Sequence, residues 1–180
     1  MLIIAGLGNP GDKYKNTRHN IGWLALDFYL GEVKWTENKR FKALTYQDGD
    51  YLFVKPLTFM NLSGESIRAV LSYYKLLPKS FGLINKKDAD LSEVLKVVHD
   101  DVDLDFGRLK EVKNSGSAGH NGLKSIIKEL KTQNFSRLKI GIKNETLKNP
   151  IPTEKFVLQN FNEEEKLKLK EIFSQINLKS

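Results

Sequence analysis

Apolar and polar positions divide the chain into short runs separated by turn-forming residues. Leu2 to Ala5 is a continuous aliphatic run closed by Gly6 and by Gly8, Pro10 and Gly11, the pattern of a short buried strand. Apolar residues, Leu24 and Phe28 among them, then recur at helical spacing from Ile21 to Leu30, and Gly31 is the expected stop. Phe41 to Gln47 and Tyr51 to Lys55 flank Asp48, Gly49 and Asp50, which predicts an antiparallel hairpin whose second strand ends at Pro56. Leu62 to Leu77 reads as helix, and the polar, irregular stretch from Pro78 to Glu93 as a surface loop or excursion.

The second half repeats the alternation. Val94 to His99 predicts another buried strand, with Arg108 to Val112 pairing beside it. A flexible stretch from Asn114 to Gly119 opens a helix whose inner face is Leu123, Ile126, Ile127 and Leu130. Phe135 to Ile142 alternates as a strand does, and Asn162 followed by three Glu residues marks the start of a last helix with Leu167, Ile172 and Ile176 inward. Interleaved strands and helices plus one hairpin predict an α/β fold: a mixed, twisted sheet with helices on both faces. No repeat or interdomain linker breaks residues 1–180, so one domain is expected, a size that buries a sizeable core.

Composition narrows the classes. Hydrophobic residues make up 40% and charged residues 28%, as in an ordinary globular protein. Lys and Arg total 29 against 22 Asp and Glu, and this +7 excess attracts polyanions such as nucleic acid, although many proteins carry as much for solubility alone. Without cysteine there is no disulfide, thiolate metal site or cysteine nucleophile. The start of the chain has no basic segment before its apolar run and no bilayer-length stretch follows, so a cytoplasmic location and no membrane partner are expected.

Three motifs imitate chemistry that their context does not support. Gly6, Gly8 and Gly11 spell G-x-G-x-x-G after a strand, but a dinucleotide site needs a helix starting inside the glycines and an acid after a second strand, whereas Asp27 lies in mid-helix. Asp101, Asp103 and Asp105 before Gly107 resemble a calcium loop, yet its twelfth position is Val112 where a Glu is required. Gly116 to Gly119 does not form a serine elbow.

What remains is a set of polar residues at predicted strand edges: Asn9, His19, Asn61, Asp100, His120 and Asn121. Loops at strand ends are where α/β sites form. An imidazole can act as a base near neutral pH, and an Asp on its other nitrogen fixes the tautomer and stabilises the imidazolium. Asn side chains supply neutral N–H donors for a carbonyl oxygen or a peptide backbone. Singly, each also has a structural reading: a solvated or core histidine, a loop cap, a turn asparagine.

These residues stand inside four ordered segments, GLGNPGDKYKNTRHNIG, KPLTFMNLSGES, VVHDDVDLDFGRLK and GSAGHNGLKSII, that together resemble bacterial-type peptidyl-tRNA hydrolase. Weaker similarity continues through FSRLKIGI and EKFVLQNF, so the resemblance runs from Leu2 to about Phe161. It implies hydrolysis of the ester joining a peptide to the terminal ribose of tRNA, recycling tRNA from prematurely released peptidyl-tRNA, with no metal or organic cofactor. Carried onto matching positions, it makes His19 the catalytic base and Asp100 its orienting partner. Asn9, Asn61, Asn121 and His120 shape and polarise the substrate site, and Tyr14 and Phe59 line the same cleft. The chain departs from the family at Ala118, where a glycine is common, and in a longer Pro78 to Glu93 segment.

The expected mechanism has neutral His19 take a proton from water as it attacks the ester carbonyl, with activity falling through a histidine pKa near 6.5 if unperturbed. Arg108, Lys110, Lys113, Lys124, Lys128 and Arg137 are the expected basic rim for tRNA phosphates, and Asn61 and Asn121 the readers of peptide amides. A monomer is expected. Two other classes fit parts of the pattern: a non-catalytic RNA-binding module of the same fold, and a small-substrate esterase or peptidase that needs no basic rim.

Overall fold

The computed structural model describes residues 1–80, 84–144 and 151–179. Seven strands form one sheet: β1 (Leu2–Gly6), β2 (Thr36–Asn38), β3 (Ala43–Asp48), β4 (Tyr51–Pro56), β7 (Leu95–Asp105), β8 (Leu109–Val112) and β9 (Ser136–Lys143). Their spatial order is β2-β3-β4-β1-β7-β9-β8. The four central strands, β4, β1, β7 and β9, are parallel, and β2, β3 and β8 add antiparallel edges. A separate pair, β5 (Lys79–Ser80) and β6 (Ile84–Asn85), is antiparallel.

Ile3, Ile4 and Ala5 are fully buried because both faces of β1 are covered, which is what an unbroken aliphatic strand requires. Ile3 and Ala5 join a core with α2 (Ser63–Tyr73) and α3 (Asn121–Leu130), which contribute Ile67, Val70, Leu123 and Ile126. Ile4 joins a second core with α1 (Ile21–Leu30) and α5 (Glu163–Ser174), through Ala25, Leu26, Leu169 and Phe173. A one-turn helix, α4 (Thr153–Phe156), adds Phe156 to the latter core. The predicted mixed sheet with helices on both faces is therefore present.

Several expectations shift in detail. Arg108 to Val112 does not pair beside Val94 to His99, since β9 lies between and β8 joins its far side. The reason is burial: β9 is apolar enough for an interior position, whereas Leu109–Val112 is exposed or half-buried throughout and suits an edge. The strand expected to end at His99 continues to Asp105, so Asp100 sits within β7 and not at its tip. Leu167 is 65% exposed, because the inward stripe of α5 runs through Glu165, Leu169, Ile172 and Phe173, to which Leu167 lies nearly opposite. Phe28 is likewise exposed on α1. In the stretch from Pro78 to Glu93, residues 81–83 lie outside the described residues, but Ala89 and Leu91 are buried in the first core, so that stretch is more than a surface excursion.

Candidate active site

Chain direction reverses across the sheet between β1 and β7: the next sheet strands after β1 lie on its β4 side, and the chain then returns to β7 on its other side. The carboxyl ends of β1 and β7 therefore border a crevice. β1 pairs with β7 only as far as Val98, whose carbonyl accepts from the Leu7 N–H at 2.9 Å. Beyond that point β7 runs on beside β9 alone, and the gap is where the site forms.

His19 reaches this gap on a 3-10 turn, Arg18–Asn20, immediately before α1. Its neighbours hold that turn firmly. The His19 N–H donates to the Val157 carbonyl at 2.8 Å and the Arg18 N–H to Gln159 at 3.0 Å. Arg18 Nη2 donates to both Glu165 oxygens at 2.8 Å, and its guanidinium lies over the Phe156 and Phe161 rings. On the other side, Asn20 donates to the Asn9 carbonyl at 3.0 Å and accepts from the Asn9 N–H at 2.9 Å. The Asn9 side-chain oxygen accepts from the Met60 N–H at 2.8 Å, leaving its amide nitrogen as the available donor.

Asp100, 2% exposed, lies between two histidines. His19 Nδ1 is 2.9 and 3.0 Å from its two oxygens, and His120 Nε2 is 3.0 Å from Oδ1. The hydrogen-bond partners determine the tautomers. His120 caps α3 and its Nδ1 accepts from the Gly122 and Leu123 N–H groups at 3.1 and 3.3 Å. Nδ1 therefore carries no proton, and the proton on Nε2 is donated to Asp100. His19 donates from Nδ1 to the same carboxylate, which leaves the lone pair of Nε2 free to act as a base.

Electrostatics agree with this division of labour. Burial pulls the His19 pKa down, but the Asp100 charge and hydrogen bond outweigh it, and the net shift is upward. Burial raises the Asp100 pKa, yet His19 and His120 together hold it well below the ordinary carboxylate value. The carboxylate thus stays ionised whenever the imidazole needs it.

The donor set does not fit a metal ion, although the ligand atoms of His19, Asp100 and His120 all lie within 4.8 Å of one another. An ion on His120 Nε2 would need that nitrogen's lone pair and a proton on Nδ1, where two backbone N–H groups already point.

His19, Asp100, His120 and Asn121 line a cavity of about 320 Å³, walled further by Val102 and Glu154. Asn9, Asn61, Tyr14 and Phe59 are not in that lining. Asn61 is exposed on a 3-10 turn, Met60–Leu62, tied to Asn9, and Tyr14 meets Phe59 edge-on at 6.4 Å between centroids. Arg108, Lys110, Lys124 and Lys128 are exposed, and Lys113 is exposed but paired with Glu93 at 2.8 Å. Arg137 does not belong to the rim: it is 1% exposed at the start of β9, stacked on Phe135 with its Nη2 donating to the Gln133 carbonyl. Burial lowers its pKa to about 10. Arg18, Asn20 and Glu165 were not singled out from the sequence. Their signal lay only in adjacency to His19 and in the Asn162–Glu165 cap of α5.

The model of the peptidyl-tRNA hydrolase family matches residues 3–179. The peptidyl-tRNA hydrolase of Desulfitobacterium hafniense is 43% identical over 180 residues, covering 97% of this chain and 88% of that protein. That of Mycoplasma capricolum is 41% identical over 179 residues, with the same coverage. The crystal structure of peptidyl-tRNA hydrolase from Acinetobacter baumannii superimposes with a TM-score of 0.77 at 26% identity, covering 97% of this chain and 83% of that one.

Proposed function

The chain belongs to the peptidyl-tRNA hydrolase family, and from that membership we propose that it hydrolyses the ester of peptidyl-tRNA with His19 as general base. The observation that carries the mechanism is the Asp100 carboxylate shared by His19 Nδ1 and His120 Nε2, because it leaves Nε2 as the basic nitrogen of His19, a residue that lines the cavity. Neutral His19 takes a proton from water as the oxygen attacks the ester carbonyl. The imidazolium, stabilised by Asp100, then returns the proton to the departing ribose oxygen. The amide nitrogen of Asn9 is a donor for the carbonyl oxygen as charge develops. Exposed Asn61 and Asn121 offer amides to the peptide backbone, and Tyr14 with Phe59 offers an apolar surface beside them.

Arg108, Lys110, Lys124 and Lys128 form the tRNA-facing rim, without Arg137. The family membership favours an enzyme over a non-catalytic RNA-binding module. Among the described residues no helix is long and apolar enough to cross a membrane. We further propose that the protein acts as a monomer in the cytoplasm. The test is turnover of an N-acylated aminoacyl-tRNA beside its free ester. His19→Ala should lower the rate by about 10²- to 10⁴-fold while sparing tRNA binding. Near-normal hydrolysis by His19→Ala would overturn the base assignment, and equal turnover of the free ester would overturn the role of the basic rim.

A further inference from the structure

His99 is the histidine that the mechanism above leaves unused. It is 2% exposed, and burial first, then His120, lowers its pKa to about 3, so it is neutral. Its Nδ1–H donates to the Asp100 carbonyl at 2.6 Å, and its ring meets the His120 ring edge-on at 5.0 Å. Its Nε2 is buried without a hydrogen-bond partner among the described residues.

The Asp100 carbonyl needs such a donor. Val98 presents its carbonyl to β1, so Asp100, two residues on, presents its own to the same edge, where β1 has already left the ladder. Alternation along β7 puts His99 on the α2–α3 face and Asp100 on the α1–α5 face. His120, on α3, reaches Asp100 through the gap and rests on His99 as it does so. A Val or Leu would fill the same space without a buried unpartnered nitrogen, which costs roughly 1–3 kcal/mol. An imidazole placed there at that cost points to the bond that its other nitrogen makes.

We propose that His99 is a positioning residue for the hydrolysis: it holds the Asp100 main chain and the His120 ring where Asp100 can orient His19. The proposal rests on the reading that Asp100 orients His19. His99→Leu keeps the volume and loses the donor, and should lower kcat by roughly 10- to 100-fold with KM little changed, the scale of a misplacement near 1 Å. His99→Asn, whose amide nitrogen takes the place of Nδ1, should restore kcat to within about threefold of wild type, while His99→Gln, with its amide one methylene too far out, should not. The His19 Nδ1 proton, followed by NMR, should keep its resonance in His99→Asn and shift in His99→Leu.

Wild-type kcat in a folded His99→Leu protein would overturn the proposal, as would equal losses in the Asn and Leu variants, which would indicate packing alone. If His99→Leu does not fold, the Asn-against-Gln comparison decides. An active His19→Ala would instead remove the underlying base assignment, whereas an inactive His19→Ala with a silent His99→Leu removes only this proposal.

Discussion

At the residue scale the site depends on one buried carboxylate. Because Asp100 raises the His19 pKa above its ordinary 6.5, activity should fall with decreasing pH through an inflection above 6.5, where His19 takes up a proton. In Asp100→Asn the upward influences vanish and burial remains, so the inflection should move to lower pH as the maximal rate drops. Profiles of kcat/KM from pH 5 to 9 check this, and identical inflections in the two proteins would sink it. The same shifts act on stability with opposite signs. His19, with its folded pKa raised, stabilises fully below its unfolded value of 6.5, and that contribution is lost as pH rises through the folded value. Asp100, with its folded pKa depressed, stabilises above its unfolded value of 3.8 and loses that contribution as pH falls through the folded one. The pair therefore contributes most between 3.8 and 6.5, and less toward alkaline pH. Ala118, in the loop before His120, has φ 45°, a left-handed conformation that a glycine adopts more readily and that the chain holds without one.

At the element scale two close contacts bring the loops together. A Cβ on Gly64 would lie 2.3 Å from the Ser125 carbonyl oxygen, and the Gly64 N–H donates to Ser125 Oγ at 3.0 Å, so α2 and α3 touch backbone to backbone. That crossing sets the Asn61 turn beside the start of α3. Gly64→Ala should destabilise the fold by about 1–3 kcal/mol and, on the proposed role of Asn61 and Asn121, weaken peptide recognition. Thermal unfolding and KM report the two effects, and a stable variant with unchanged KM would contradict them. The second contact is Arg18 with Glu165, both buried. Glu165→Ala strands a buried cation and removes one half of the α5 cap, so a loss of about 3–5 kcal/mol is expected. Denaturant titration measures it, and a loss below that of an exposed pair would mean that the ion pair does not hold the His19 turn.

At the scale of the whole molecule, charge and shape meet at one side of the crevice. The register of β8 against β9 puts Leu109 opposite Ile140 and Val112 opposite Arg137, so Arg108 lies toward the site end and Lys113 toward the opposite end of the sheet. Exposed Arg108, Lys110, Lys124 and Lys128 offer positive charge to a polyanion. tRNA affinity should weaken with salt, by roughly 0.7 to 0.9 logarithmic units per tenfold rise in salt for each phosphate contact, and Arg108→Ala or Lys124→Ala should each reduce the slope by about one. Filter binding across a salt series checks this, and Arg137→Ala should leave the slope unchanged because its guanidinium is buried.

Much of this arrangement is determined by local order along the chain. The buried strands follow from unbroken aliphatic runs, the hairpin from Asp48, Gly49 and Asp50, and α5 from its Asn162–Glu165 cap, because each rests on interactions within a few residues. His19, Asp100, Asn9 and His120 were candidates from the motifs that hold them, and the fold brings His19, Asp100 and His120 together. Pairing across long separations is not determined locally: whether β8 or β9 lies beside β7, which face of α5 turns inward, and that Arg137 is covered depend on competition among distant segments for buried positions. Tertiary structure alone decided the tautomers, since the proton position on His19 follows from the Asp100 carboxylate, and those on His99 and His120 from backbone groups, all brought to the gap beyond β1 by the fold.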